Sequence, residues 1–203
     1  MTSLQKWGKS VRTTIPVMAG YLVLGAGFGI LLRTRGYGLG WALAMSAFIY
    51  AGSMQYVAID LLTGGASLLT TAVTTLLVNA RHLFYGISML ERYRAAGKYA
   101  PYLIFSLTDE TYSLVAARED LTGAECFRIS LLDQLYWVLG TALGSLAGAY
   151  LDFNTTGIDF SLTALFLTVF TEQWLETKNH APALIGLGVS IVCRLLFGAD
   201  SFL

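Results

Sequence analysis

Residues 66–90 read ASLLTTAVTTLLVNARHLFYGISML, a run long and apolar enough to cross a bilayer that nonetheless holds Asn79-Ala80-Arg81-His82 near its middle. An ionisable side chain at that depth costs about 2.5 kcal/mol or more, so it faces a bundle interior or a water-filled path, where it pairs and acts. A second polar interruption, Ser106-Leu107-Thr108-Asp109-Glu110-Thr111, is also flanked by apolar sequence. Two such places point to a permeation or transport pathway through a polytopic membrane protein.

Composition agrees. Of the 203 residues, 55% are hydrophobic and 13% charged, and the mean hydropathy is +0.61; a soluble domain carries about 25% charged residues. The formal net charge of zero argues against a nucleic-acid partner. Cys126 and Cys193 lack partners at metal-binding spacing, so neither a metal nor a cofactor is expected. Spans are predicted over 15–32, 41–62, 66–90, 99–117, 129–151, 160–175 and 181–197, each near the length a bilayer needs. Pro16, Pro101 and Pro182 lie near the starts of three of them, where a missing N–H is best tolerated. Gly64-Gly65 and Asn154 to Gly157 read as turns. The expectation is one all-α transmembrane domain over 1–203. A cytoplasmic segment, 1–14, carries Lys6, Lys9 and Arg12 and precedes a first helix that is retained rather than cleaved.

The second and fourth spans are interrupted, at Ala51-Gly52-Ser53-Met54-Gln55 and at Ser106 to Thr111. Ile49 to Gln55 lies over Ile104 to Glu110 with aromatic, small, hydroxyl and Gln/Glu positions in step, and Asn79 to Gly86 lies over Asp133 to Gly140. This is a faint two-segment repeat of the kind that marks substrate sites in transporters. If every span crosses, Lys and Arg divide almost evenly between the two sides, against the positive-inside rule. Treating the interrupted spans as re-entrant hairpins moves Arg92, Arg94 and Lys98 inside, leaves Arg33 and Arg35 outside, and makes the repeat units inverted. Half-crossing helices buried by neighbours give a similar count.

At helical spacing, Thr71, Thr75, Asn79, His82 and Gly86 would share one polar face. On it His82 could carry a proton between about pH 5 and 8, although Thr, Asn and Gly also serve as glue between membrane helices. Arg81 could snorkel to the basic end of its helix, form a structural ion pair or bind a carboxylate. Thr108, Asp109 and Glu110 read as the capped start of an internal half-helix, and Ser53-Met54-Gln55 as its counterpart. Together they would offer N–H groups to a carboxylate and acids to an ammonium. Asp109 is expected in the cavity, with Glu110 supporting the backbone or Arg81. Tyr50, Phe84, Phe105 and Trp137 are candidate pocket walls, or plain packing.

Phe48-Ile49-Tyr50-Ala51-Gly52-Ser53-Met54-Gln55-Tyr56, Asn79-Ala80-Arg81-His82-Leu83-Phe84-Tyr85-Gly86 and Ser106 to Thr111, in that order and spacing, resemble the AzlC family of bacterial membrane proteins. The resemblance implies the large subunit of a proton-driven branched-chain amino-acid exporter. It also implies a multi-pass place in the inner membrane, a small AzlD-type membrane partner, and no ATPase function, since the chain has no phosphate loop. Family members often carry an acid where this chain has Asn79, which shifts the expected coupling role to Asp109, Glu110 and His82. A channel-like or purely structural membrane subunit is the alternative. An enzyme is not expected, because no nucleophile elbow, metal cluster or nucleotide loop accompanies these acids.

Overall fold

The computed structural model describes residues 2–116, 118, 120–150, 157, 160, 163–164, 167, 170–171, 174–175 and 178–197. They form two compact units, 1–159 and 160–203. Every regular element among the described residues is helical.

Helix α1 (Ser3–Thr34) starts in a capping box, in which the Thr2 hydroxyl accepts from Gln5 N and Thr2 N donates to the Gln5 side chain. It ends where Gly36 takes φ +90°. Because the helix begins twelve residues earlier than the apolar run, Pro16 lies inside it rather than at its start. At 1.5 Å per residue its 32 residues reach about 48 Å, beyond the ~30 Å hydrocarbon core. Among the described residues it is the one helix that is by itself long and apolar enough to cross.

Helix α8 (Gly123–Tyr150) packs along α1, and the two run parallel. Lys9 pairs with Glu125 at 3.5 Å and Arg128 donates to Ser10, whereas Gly148 meets Ile30 and Arg33. The seam is built from Gly25 and Gly29 on one helix and Gly140 and Gly144 on the other. A Cβ at Gly25 would stand 2.9 Å from the Trp137 carbonyl oxygen and one at Gly140 2.7 Å from that of Leu22. Glycine therefore brings the two backbones into van der Waals contact, the usual device of membrane helices.

Two broken hairpins enter from opposite ends of this pair. Helix α2 (Leu39–Phe48) starts near Arg33 and descends until Gln134 donates to Ala47 O. After a break at Tyr50, whose φ is 44°, α3 (Gly52–Thr63) starts against Trp137 and returns, Tyr56 donating to Leu24 O at 2.6 Å. Helix α6 (Ala100–Phe105) rises from the other end, its Tyr102 and the preceding Tyr99 packing on Phe127 and Tyr102 donating to Gln134. Helix α7 (Asp109–Ala116) then goes back, from Thr111 beside Asp133 down to Val115 and Arg118, whose carbonyls accept from Arg92. Both interruptions expected from the sequence are therefore re-entrant and inverted with respect to each other. The end holding Lys9, Arg92, Arg118 and Arg128 is one end: Gly123 touches Ala96, and Arg118 donates to Thr13.

Between the hairpins, α4 (Leu68–Val78) and α5 (Ala80–Ala95) form the return crossing, interrupted at Asn79 with φ −94° and ψ 4°. The continuous polar stripe expected along 71–86 is not formed. Thr71 and Thr75 turn their hydroxyls onto Ser67 O and Thr71 O within their own helix, and Gly86 is exposed. The repeat does not extend to this pair of segments either, because α8 runs unbroken through Asp133.

A buried cluster of Met89, Tyr93, Leu103, Leu107, Val115, Leu121, Cys126 and Ile129 holds the second hairpin to α5 and α8. Leu68, Leu69, Leu76, Leu77, Phe84 and Ile87 are instead exposed on α4 and α5. So large an outward apolar face suits hydrocarbon rather than water.

In the second unit, α9 (Ala181–Phe197) is an apolar helix whose Ala181 N donates to Asn179 Oδ1. The turn expected at 154–157 and the span expected at 160–175 fall largely outside the described residues.

Candidate functional site

The two hairpin tips meet against the Asn79 interruption, at the level of Tyr21 on α1 and Asp133 on α8. Each break exposes backbone polar groups that a continuous helix would satisfy, and such backbone is tolerated at membrane depth only under protein cover or beside water. Arg81, on the first turn of α5, joins the tips. Its Nη2 lies 2.8 Å from Asp109 Oδ2 at the start of α7, and also donates to Ser53 Oγ at the start of α3, again at 2.8 Å. Arg81 and Asp109 keep 28% and 20% of their side-chain surface accessible, so the pair is recessed but reachable. His82 places Nε2 3.9 Å from Asp109 Oδ1 and packs edge-on to Tyr85. Asn79 presents a buried Oδ1 without a hydrogen-bond partner.

Arg81 thus neither snorkels nor pairs with Glu110. The expectation that Glu110 would support it is corrected: Asp109 takes Arg81, and Glu110 accepts from the Tyr21 hydroxyl at 2.7 Å. The spacing explains the exchange. Consecutive residues on a helix point about 100° apart, so only one of the two acids can face α5 while the other turns towards α1.

Thr108 caps α7, receiving Thr111 N, and touches the Tyr21 and Thr111 hydroxyls. Gln55 lies in a neighbouring buried network. It accepts from Trp137 Nε1 at 2.9 Å and donates to Ser46, which donates to Thr141. Trp137 therefore holds the first hairpin to α8 by its ring and its N–H together, with Gly52 against the outer edge of the indole, where a Cβ would come within 3.0 Å of it. Tyr50 is buried at the tip of that hairpin, close to Tyr21. Phe105 packs against Tyr50 with ring centres 6.4 Å apart, whereas Phe84 is 73% exposed on the outer surface and does not wall the centre.

Sequence reasoning missed Tyr21, Thr111 and Asp133. The signal for Asp133 was present, as the ionisable residue in the otherwise apolar run 129–151. Tyr21 and Thr111 gave none, because a tyrosine or threonine in a membrane helix is ordinary. Among the described residues no group of His, Cys, Asp and Glu has the arrangement to hold a metal ion. At the basic end, outside the spans, the Thr122 N–H holds the Glu125 carboxyl below its usual range and forms the capping box of α8.

Chemically, the centre presents a guanidinium, a carboxylate bound to it and the first turns of two half-helices. A zwitterion entering here could exchange its carboxylate for Asp109 on Arg81 and offer its ammonium to the freed acid. Beside it a cavity of about 350 Å³ runs along α5, walled by Leu83, Leu90, Ala100, Ile104 and Leu107, with His82 and Gly86 towards one end and Tyr93 and Arg94 towards the other. Its walls are mostly apolar.

Comparison with known proteins gives the following. The family model described as AzlC protein matches residues 16–151. The branched-chain amino acid transport protein AzlC of Bacillus subtilis is 46% identical over 195 residues, covering 94% of this chain and 76% of that protein. An uncharacterised membrane protein of Helicobacter pylori (strain ATCC 700392 / 26695) is 44% identical, with 94% and 85% covered. The inner membrane protein YgaZ of Escherichia coli is 27% identical, with 86% and 77% covered. No solved structure matches.

Proposed function

We propose, from the premise that the chain belongs to the AzlC family, that it exports branched-chain amino acids such as valine across the bacterial inner membrane. In this reading it is multi-pass, proton-coupled and assisted by a small AzlD-type membrane subunit. It is a membrane protein of a transport family. The observation that carries the finer reading is the meeting of two inverted re-entrant hairpins on the Arg81–Asp109 pair. Paired broken helices of opposite sense give a midplane site that either side can open while the other stays shut. The cavity beside His82 offers Leu83, Leu90, Ile104 and Leu107 as apolar wall for a branched aliphatic side chain, with Arg94 at its far end.

Sidedness follows from charge. Lys6, Lys9, Arg12, Arg92, Arg94, Lys98, Arg118 and Arg128 belong to one end and Arg33 and Arg35 to the other, so the N-terminal end is cytoplasmic by the positive-inside rule.

The test is reconstitution. Vesicles holding the chain, with and without an AzlD-type subunit, are loaded with labelled valine and given a proton gradient. Efflux well above that of empty vesicles is expected, and a cysteine replacing exposed Lys98 should be labelled only from the cytoplasmic face. Valine that stays trapped under every gradient would leave the channel-like or structural alternative.

A further inference from the structure

We propose that Tyr21, Thr108 and Thr111 form a hydroxyl relay that shares one proton between Glu110 and Asp133, and that the coupling proton is held there after entering and before leaving by way of Glu110. The proposal rests on the proton-coupled transport reading and adds where the proton is held.

The geometry is a continuous chain. Glu110 Oε2 lies 2.7 Å from the Tyr21 hydroxyl, which lies 2.7 Å from Thr108 Oγ1. Thr108 Oγ1 lies 3.2 Å from Thr111 Oγ1, which lies 3.0 Å from Asp133 Oδ2. Four gaps are thus bridged by three hydroxyls, and each hydroxyl has one hydrogen to donate. With both carboxylates ionised one gap holds two acceptors facing each other without a proton, and the site holds two buried negative charges. Both are costly in a dry interior. A single added proton fills the fourth gap and removes one charge.

That proton has two homes. On Glu110, every hydroxyl donates towards Asp133; on Asp133, every hydroxyl donates towards Glu110. Interconversion moves the Glu110 proton to the Tyr21 oxygen as the Tyr21 hydrogen passes to Thr108, that of Thr108 to Thr111, and that of Thr111 to Asp133 Oδ2. The net change is one proton carried from Glu110 to Asp133, with no bond to carbon and no electron altered.

The two ends differ in access. Glu110 is half-buried next to Asp109 at the hairpin tip, whereas Asp133 is wholly buried on α8 and its Oδ1 has no hydrogen-bond partner. Tyr50 and Tyr102, one from each hairpin, lie within electrostatic range of Asp133, while Tyr50, Asp109, His82 and Tyr85 lie within that range of Glu110 and Tyr21 touches it. Asp109 is already held by Arg81. The relay therefore joins the substrate-facing tip to a sealed carboxylate, each supplied by a different element: α7 for Glu110, Thr111 and the capping Thr108, α1 for Tyr21, α8 for Asp133.

The experiment follows valine and protons together in vesicles, using a pH-sensitive dye inside, for wild type, Thr111→Val, Thr111→Ser and Tyr21→Phe. Thr111→Val and Tyr21→Phe break the chain at different gaps without changing bulk, so each should lower gradient-driven valine accumulation and valine-dependent proton movement at least tenfold. Valine-for-valine exchange, which needs no net proton, should stay within threefold of wild type and thereby report folded protein. Thr111→Ser restores the hydroxyl and should restore coupling. If wild type is coupled and Thr111→Val and Tyr21→Phe remain coupled, the relay is wrong and the transport reading stands. If wild type moves valine with no protons at all, proton coupling itself is wrong, and the relay with it.

Discussion

Asp109→Asn should reduce valine flux roughly 100-fold or more while the chain still inserts, because it leaves Arg81 without its carboxylate and the site without an acceptor for an ammonium. Breaking a fully buried pair costs about 3–5 kcal/mol. Here both side chains remain about a quarter accessible, so water offsets much of that cost. Folding should survive and function should not. The ion pair could instead serve only to hold the hairpins to α5, and the double variant Arg81→Gln with Asp109→Asn separates the two roles. It removes both charges, so it should recover thermal stability without recovering flux. Near-normal valine flux in the double variant would make the pair purely structural.

Gly144→Val should be the most damaging packing change. Its Cβ would sit inside the Ala26 carbonyl, so relief requires the two helices to move apart. Overpacking costs about 1–3 kcal/mol where side chains can yield; here only backbone faces backbone, so the seam must open. The same two helices carry Tyr21, Asp133 and Trp137, so the site opens with it. Thermal unfolding in detergent should shift down by about 10 °C or more, on the scale at which a few kcal/mol moves the midpoint, and valine flux should vanish. Gly20→Ala on the same α1 is the control, since nothing lies within 4 Å of a Cβ there. Equal loss in both variants would mean that the α1–α8 seam does not decide assembly.

How much of this was legible depends on what each residue can say alone. The hairpin breaks at Tyr50 and at Ser106 to Thr108 were visible, because polar and small residues interrupt apolar runs there and because most basic residues sort to one end when both spans turn back, although half-crossing helices give a similar count. The break at Asn79 was not, since one asparagine at helical spacing fits a continuous polar face equally well. Arg81 stood out as a charge at membrane depth with a snorkelling, ion-pairing or substrate-binding role open to it, and its partner depended on the rotation of α7, which sequence spacing does not fix between adjacent acids. Phe84 was a candidate pocket wall or plain packing as an aromatic within a polar motif; two residues along a helix from His82 it points to nearly the opposite side, and it faces outwards. The seam was written as Gly25-x-x-x-Gly29 and Gly140-x-x-x-Gly144, yet with 21 glycines in the chain nothing in the sequence says which two segments are partners.

If the hairpin tips at Arg81 form the substrate site, Ser53 reports on its opening: the hydroxyl is 2.8 Å from Arg81 and the residue is buried, 5% exposed, until the tips part. In a chain freed of Cys126 and Cys193, Ser53→Cys should react with a thiol reagent added at either membrane face. Saturating valine should slow that reaction at least tenfold from both faces, and alanine much less. A thiol at position 53 that reacts at one rate with and without valine, in a variant that still carries valine normally, would contradict the account.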